Sequence, residues 1–356
     1  MTPLQTIQAG LSKGECALFF SPINRRYLSR FRSSDGILLV TRDRARLYLD
    51  SRYYEMACLK EKEGLLAPGI EILPSGFRQD LTRLGEEEEV KTVLFEDQSL
   101  TVARLQSLEK TYPALTFQPR GTRVEEMRTV KTEEEIGYIA RAQKLAEEAF
   151  LYILPRLEKG RTEKAVAAEL EYYMKLHGAE GASFGTICVS GTRSSLPHGS
   201  PTENPIEENT FVTMDFGCLL DGYCSDMTRT VCVGKASDEM RLVYETVLAA
   251  HEAALAKVAA GVTGKEVDAA ARDLIAKAGF GEYFGHSTGH GIGMQVHEAP
   301  GFSTRAEGKT PAGAVLSIEP GIYLPGKFGV RIEDLVVVRE GFGESLNATS
   351  KELLEL

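Results

Sequence analysis

The stretches "GRTEKAVAAELEYYMKLHG" (160–178) and "GVTGKEVDAAARDLIAKAG" (261–279) align at one constant offset, so that Gly160 meets Gly261, Thr162 meets Thr263, Lys164 meets Lys265, Val166 meets Val267 and Gly178 meets Gly279. A repeat constrains a fold more than any single motif, because two copies of one supersecondary unit must pack by related rules. Each copy is preceded by a long helical pattern, from Thr132 and from about Ser237, and followed by β-type segments. Thr132 and Glu135 have capping-box spacing. Ile136, Ile139, Ala140, Ala146, Ala149, Phe150 and Ile153 keep helical spacing as far as Pro155, so this helix should lie against a core. The C-terminal part of the chain is expected to be two copies of one α+β unit.

The two copies carry acids at matching places. "FVTMDFG" (211–217) and "VLSIEPG" (315–321) are strand-like runs ending in a carboxylate, one further residue and a glycine. After Asp215 a turn leads to the strand "SDMTRTVCV" with Asp226. After Glu319, "IYLPGKFG" leads to "VRIEDLVVV", read as one strand carrying Glu333. On an alternating strand Asp226 shares its face with Thr228 and Thr230, while Met227, Val231 and Val233 point the other way. Four acids held together repel one another, and their pKa values rise sharply unless cations neutralise them. Divalent metals meet that need. Carboxylates with a single imidazole suit Mn²⁺, Co²⁺ or Zn²⁺, and bridging carboxylates set the short spacing of two-metal hydrolysis.

The imidazole is sought in "HSTGHGIGMQVHEAP" (286–300), which holds three of the chain's six histidines. His297-Glu298 is followed by Ala299-Pro300-Gly301, so the HExxH helix motif fails. Glycines 289, 291 and 293 permit close backbone approach around His290. His177 and His251 lie in helical patterns and read as structural.

Upstream of the repeat, "GILLVT" (36–41), "ARLYLD" (45–50) and "VKTVLFED" (90–97) are strand-like, and "RYYEMACLKEKEG" is helical, giving an α/β domain over residues 1–125. Apolar content falls and charge rises near residue 125, and residues 126–356 form the second domain. A net charge of −10 excludes the basic face that nucleic acid or an anionic membrane requires. No basic, then apolar leader opens the chain and no apolar run approaches a membrane span, so a cytoplasmic location is expected. Six cysteines without CxxC spacing read as reduced thiols.

The ordered set Asp215, Asp226, His290, Glu319 and Glu333, in "MDFG", "SDMTRT", "GHGIG", "IEPG" and "RIED", resembles the dinuclear M24 metallopeptidases of the pita-bread fold: aminopeptidase P, prolidase and methionine aminopeptidase. "RRYLSRFRSSDGILLV" and "LYLDSRYYEMA" resemble the creatinase/prolidase N-terminal domain, which methionine aminopeptidases lack. The resemblance implies that Asp226 and Glu333 bridge two divalent ions, with Mn²⁺ first choice and Co²⁺ or Zn²⁺ as alternatives. Asp215 then completes one shell, and His290 with Glu319 the other. It further implies that a hydroxide bridging the ions attacks the scissile carbonyl, with Glu319 taking its proton and His297 serving the oxyanion. His198 in "LPHG" falls near the leaving side, and His286, Arg331 and Tyr323 line the pocket. The substrates implied are short peptides or dipeptides with proline second, hydrolysed by a homodimer acting as Xaa-Pro dipeptidase or aminopeptidase. A metal-free creatinase-like hydrolase, a methionine aminopeptidase-like enzyme and an inactive binding protein of the same fold are the alternatives. Cys224, two residues before Asp226, reads as a packed core thiol.

Overall fold

The computed structural model describes residues 1–86, 90–121 and 123–356, in two compact units, Met1–Met127 and Arg128–Leu356. In the first unit β1 (Glu15–Phe19), β2 (Ile37–Val40), β3 (Ala45–Tyr48), β4 (Ile70–Leu73), β5 (Thr92–Phe95) and β6 (Thr116–Pro119) form one mixed sheet in the order β4-β3-β2-β1-β5-β6. The central strand shows why helices are needed on both sides. Along β1, Ala17 and Phe19 enter one apolar cluster with Leu4, Leu28 and Ala57, whereas Cys16 and Leu18 enter another with Leu81 and Leu84. Alternate side chains take opposite faces, and both faces are apolar, so both must be covered. The covering helices are α1 (Pro3–Ala9), α2 (Pro22–Ser29), α3 (Ser51–Lys62) and α4 (Phe77–Glu86); α5 (Val102–Thr111) and α6 (Arg123–Thr129) complete the run. The strands expected near residues 36, 45 and 90 and the helix after residue 51 are all present.

The second unit is built twice. Helices α7 (Glu133–Ile153) and α8 (Glu163–Leu176) are matched by α9 (Asp238–Lys257) and α10 (Gly264–Lys277). Thr132, Thr162, Ser237 and Thr263 each cap a helix through the side-chain oxygen, satisfying an N–H that the first turn leaves unpaired. The expected capping box at Thr132 and Glu135 is formed. Gly178 and Gly279, at φ +107° and +88°, follow α8 and α10 in the left-handed region that ends helices.

The strands that follow repeat as well. After the short β7 (Gly181–Ala182) come β8 (Ile187–Ser190), β9 (Thr210–Phe216), β10 (Cys218–Leu220), β11 (Tyr223–Cys224) and β12 (Met227–Val233). The second copy supplies β13 (Gly289–Gly291), β14 (Glu298–Phe302), β15 (Val315–Ile318), β16 (Gly321–Leu324), β17 (Phe328–Arg331), β18 (Asp334–Arg339) and β19 (Phe342–Ser345). Antiparallel order β12-β9-β8 in the first copy recurs as β18-β15-β13 in the second. A small hairpin, β10–β11 or β16–β17, interrupts each long pair at the same point. Even the isolated bridges Thr162–Pro205 and Thr263–Lys309 correspond. Each helix pair packs on its own sheet: Phe150, Val166 and Leu170 meet Val212, Met214 and Val231, while Tyr244, Val267 and Ile275 meet Leu316, Val336 and Val338.

Two expectations fail in detail. "VRIEDLVVV" is two strands, because β17 pairs with β16 whereas β18 pairs with β15, and Ile332 and Glu333 lie in the switch between partners. There the Glu333 N–H donates to the Thr228 carbonyl at 3.0 Å, joining the second copy to the first. Asp226 likewise precedes β12 instead of lying within it. Among the described residues no helix is long and apolar enough to cross a membrane.

Candidate metal centre

Asp215 reaches the site from the penultimate position of β9 and Asp226 from the residue before β12; Glu319 follows β15 and Glu333 sits at the β17–β18 switch. All four, with His290 of β13, line one cavity of about 570 Å³, together with His198, His286, His297 and Arg331. Single ligand atoms of Asp226, His290 and Glu333 lie within 4.8 Å of one another. His290 Nε2 is 3.4 Å from Glu319 Oε1 and 3.5 Å from Asp226 Oδ2. Its Nδ1 is 3.1 Å from the Gly291 carbonyl, which fixes the proton there and leaves Nε2 with a free lone pair.

The acids are strained electrostatically. Burial, then the neighbouring Glu333, Asp215 and Glu319, raises the Asp226 carboxyl well above the usual range. Burial, then Glu319 and Asp215, does the same to Glu333. Glu319 is pushed up to about 8, first by burial and then by Asp215, against the opposing Arg331. His290 is pushed down to about 4 by burial and by His297, so it is neutral, as a metal ligand must be. Asp215 Oδ1, Asp226 Oδ1 and Glu333 Oε1 are buried without any hydrogen-bond partner. Three orphaned oxygens in one cavity each forgo the bond that a buried acceptor needs, and divalent cations would satisfy all three. The donor set fits such ions.

The remaining oxygens are held by the protein. Thr228 Oγ1 donates to Glu333 Oε2 at 2.7 Å, and Arg331 Nη2 donates to Asp215 Oδ2 at 2.5 Å. Arg331, 3% exposed, also donates to Thr228 Oγ1, to the Tyr323 hydroxyl and to the Pro197 carbonyl next to His198. Tyr323 Oη in turn lies 2.9 Å from His286 Nε2. His286 is pushed down to about 4 by burial and by Arg331. The His297 ring packs 4.3 Å from that of His290, edge to face. Of the candidates named from sequence, Tyr323 alone stands behind the cavity wall, acting through His286 and Arg331.

The glycines around His290 allow this crowding. A Cβ on Gly289 would fall 1.9 Å from the Ser317 carbonyl oxygen, and one on Gly291 2.6 Å from that of Glu298. Cys224 is buried and its thiol is pushed up to about 12 by burial, then by Glu298 and Asp226, so it packs as a neutral thiol. His251 is fully buried in α9, and His177 stacks on Tyr173 at the end of α8.

Two structural acids went unread in the sequence. Glu163, in the first turn of α8 and fully buried, accepts from Ser190 N, Thr202 N, both hydroxyls, Arg193 and Asn204, and so fixes residues 190–204 around His198. Asp268 of α10 accepts from Thr288 and Arg272, and Arg272 donates to the Phe284 and His286 carbonyls. Thr288 O accepts from Glu319 N at 2.8 Å, so this clamp extends to a candidate ligand. The available sequence signal for Asp268 was a charge inside the apolar stripe of Val267 and Ala271.

Comparison with known proteins places this geometry. Residues 137–340 match the model of metallopeptidase family M24, and residues 10–130 match that of the creatinase/prolidase N-terminal domain. An uncharacterized peptidase of Bacillus subtilis, YqhT, is 42% identical over 95% of both chains. The structure of an Xaa-Pro dipeptidase from Bacillus anthracis superposes with a TM-score of 0.92 at 37% identity, covering 99% of each chain. That of an X-Pro aminopeptidase from Thermotoga maritima gives 0.90 at 37% identity, covering 96% of this chain and 97% of that one.

Proposed function

We infer the reaction from one premise: the chain belongs to metallopeptidase family M24 and carries a creatinase/prolidase N-terminal domain. Its reaction is hydrolysis of the bond between a first residue and proline, leaving a carboxylate on the first residue and a free imino nitrogen on proline. The observation that carries this reading is the convergence of four carboxylates and one neutral imidazole in a single cavity, with three buried oxygens lacking partners. Asp215, Asp226, His290, Glu319 and Glu333 would hold the divalent ions. Bound there, the ions supply Lewis acidity that polarises the scissile carbonyl and makes water acidic enough to attack near neutral pH.

The chain's own groups perform the proton and charge work. Glu319 accepts the proton of the attacking water at a carboxylate oxygen and delivers it to the departing nitrogen. His297 donates to the oxyanion that develops on the former carbonyl. His198 contacts the leaving side, while His286, backed by Tyr323 and Arg331, forms the wall against which the proline ring rests. Arg331 also keeps Asp215 Oδ2 occupied, which leaves Oδ1 as the oxygen that would hold a cation. The five-ligand set disfavours a metal-free creatinase-like reaction, and the domain at residues 10–130 disfavours a methionine aminopeptidase.

We take Mn²⁺ as the native ion, a cytoplasmic location in keeping with six unpaired cysteines, and a two-fold homodimer as the assembly. The test is to strip the purified protein with chelator, restore Mn²⁺ and follow proline release from Ala-Pro. Hydrolysis that vanishes with the metal and returns with it supports the reading. Full metal content with no cleavage of any Xaa-Pro peptide would end it.

A further inference from the structure

A second cavity of about 540 Å³ meets the metal-bearing one at Gly185, Ile187 and His198, which line both. That volume lies within the range of small-ligand pockets, roughly 300–1,000 Å³. Its far wall is one face of α8, where Lys164, Ala168 and Glu171 recur at helical spacing. Three features of this cavity suit an extended peptide. First, β8 is the outer strand of its sheet: among the described residues it pairs only with β9, so the backbone entering it at residues 185–187 offers an open edge. Second, Thr186 Oγ1, in a residue only 6% exposed, has no hydrogen-bond partner. A peptide group is the kind of ligand that satisfies both. Third, a cation is available: Lys164 of the far wall lines this cavity beside Glu171, its ammonium 3.0 Å from the exposed Glu203.

We propose that the cavity between α8 and residues 185–187 is the binding site for the residue that follows proline, so that this chain acts on peptides longer than two residues. The proposal rests on the Xaa-Pro reading and adds the direction of the substrate. In that reading His198 stands on the leaving side of the scissile bond, and it is where His198 lines both cavities that the chain beyond proline passes from one to the other. The carboxyl end therefore runs past His198, along the backbone of residues 185–187, to Lys164. A dipeptide leaves this second cavity unfilled, and a tripeptide places its third residue there and its terminal carboxylate near Lys164.

The experiment uses the Mn²⁺-loaded full chain and compares kcat/KM for Ala-Pro, Ala-Pro-Ala and Ala-Pro-Ala amide. Cleavage of the tripeptide at least as efficiently as the dipeptide is the expected result. Ala168→Trp, which fills the cavity from the exposed side of α8, should lower the tripeptide-to-dipeptide ratio by about tenfold or more. Lys164→Ala should narrow the preference for free tripeptide over its amide by several-fold, roughly the loss of one solvent-accessible charge contact. That second variant changes one exposed side chain and tests the site even if the tryptophan disturbs folding. Cleavage of Ala-Pro with none of Ala-Pro-Ala overturns the inference while the Xaa-Pro reading stands. So does a ratio unchanged within about twofold in both variants. If neither substrate is cut with metal restored, the Xaa-Pro reading itself falls and takes the inference with it.

Discussion

Replacing Glu163 by Gln removes one charge and no volume, yet it should be among the costliest single changes in the second unit. The carboxylate is fully buried and each oxygen faces a backbone N–H: Oε1 accepts from Ser190 N at 2.8 Å and Oε2 from Thr202 N at 3.1 Å. The hydroxyls of Ser190 and Thr202 can turn to suit an amide. The two N–H groups cannot, so in either orientation the Gln NH₂ confronts one of them. That leaves a buried donor unsatisfied, costing about 1–3 kcal/mol, and weakens the remaining bonds from charge-assisted to neutral. With Arg193 partly exposed and so discounted, the total is about 3–5 kcal/mol. Spread over a unit of this size, that lowers the melting temperature by roughly 6–20 °C. Thermal unfolding followed by circular dichroism measures the loss, and Glu163→Leu, which abandons both N–H groups, should cost more than Glu163→Gln. A loss below about 1 kcal/mol, or the reverse order of the two variants, would refute the accounting.

Four further outcomes are expected. Asp268→Asn should lower kcat on Ala-Pro by about tenfold or more, with metal content preserved, because the clamp through Thr288 and Arg272 positions the His286–His290 segment; activity within twofold of the parent, measured at saturating Mn²⁺, would remove its positioning role. Gly137 lies in α7 with nothing within 4 Å of where a Cβ would stand, so Gly137→Ala should raise stability by about 0.5–1 kcal/mol, read in urea unfolding. Mn²⁺ at about one hundred times its Kd should stabilise the apo protein by about 2.7 kcal/mol, and Glu333→Gln should abolish most of that thermal shift, as scanning calorimetry can show. Burial pushes His251 down from 6.5 to about 4, so the folded form resists the proton that the unfolded form accepts. Stability from this site is complete above pH 6.5 and falls by about 1.4 kcal/mol per pH unit as pH drops toward 4, some 3 kcal/mol in all. In His251→Asn the difference in unfolding free energy between pH 7 and pH 4 should shrink by a comparable amount.

What the sequence revealed and what it hid follow from the range of the interactions involved. The repeat and the helix starts are local patterns, and both are present in the structure; of the acids, Asp215 lies within a strand, whereas Asp226 precedes β12, Glu319 follows β15 and Glu333 falls between β17 and β18. Contacts set by tertiary packing were not legible. Glu163 in a first helical turn looks like any acid that favours a helix N-terminus, and only Ser190, Thr202 and Asn204, all at least 27 residues away, make it a buried hub. In "RIED" the neighbouring acids part company: Glu333 faces the metal cavity, whereas Asp334 turns the opposite way to Arg229, Lys351 and His251. Alternation predicts that divergence, but the change of strand partner between them hides which acid faces which side.

The doubled architecture also divides the site between its two copies. Each copy contributes two of the four acids, so a chain with a single copy would carry half a centre, and two such chains about a two-fold axis would complete it. Within one chain the halves need not be alike. The first copy has Glu163 and Ala167 where the second has Gly264 and Asp268, positions one turn apart on the same helix face. Each copy has one buried acid that anchors a histidine-bearing segment, and each anchors a different one. The copies agree where their acids meet and differ where each fixes its own histidine, so a symmetric cluster of carboxylates sits inside an asymmetric wall.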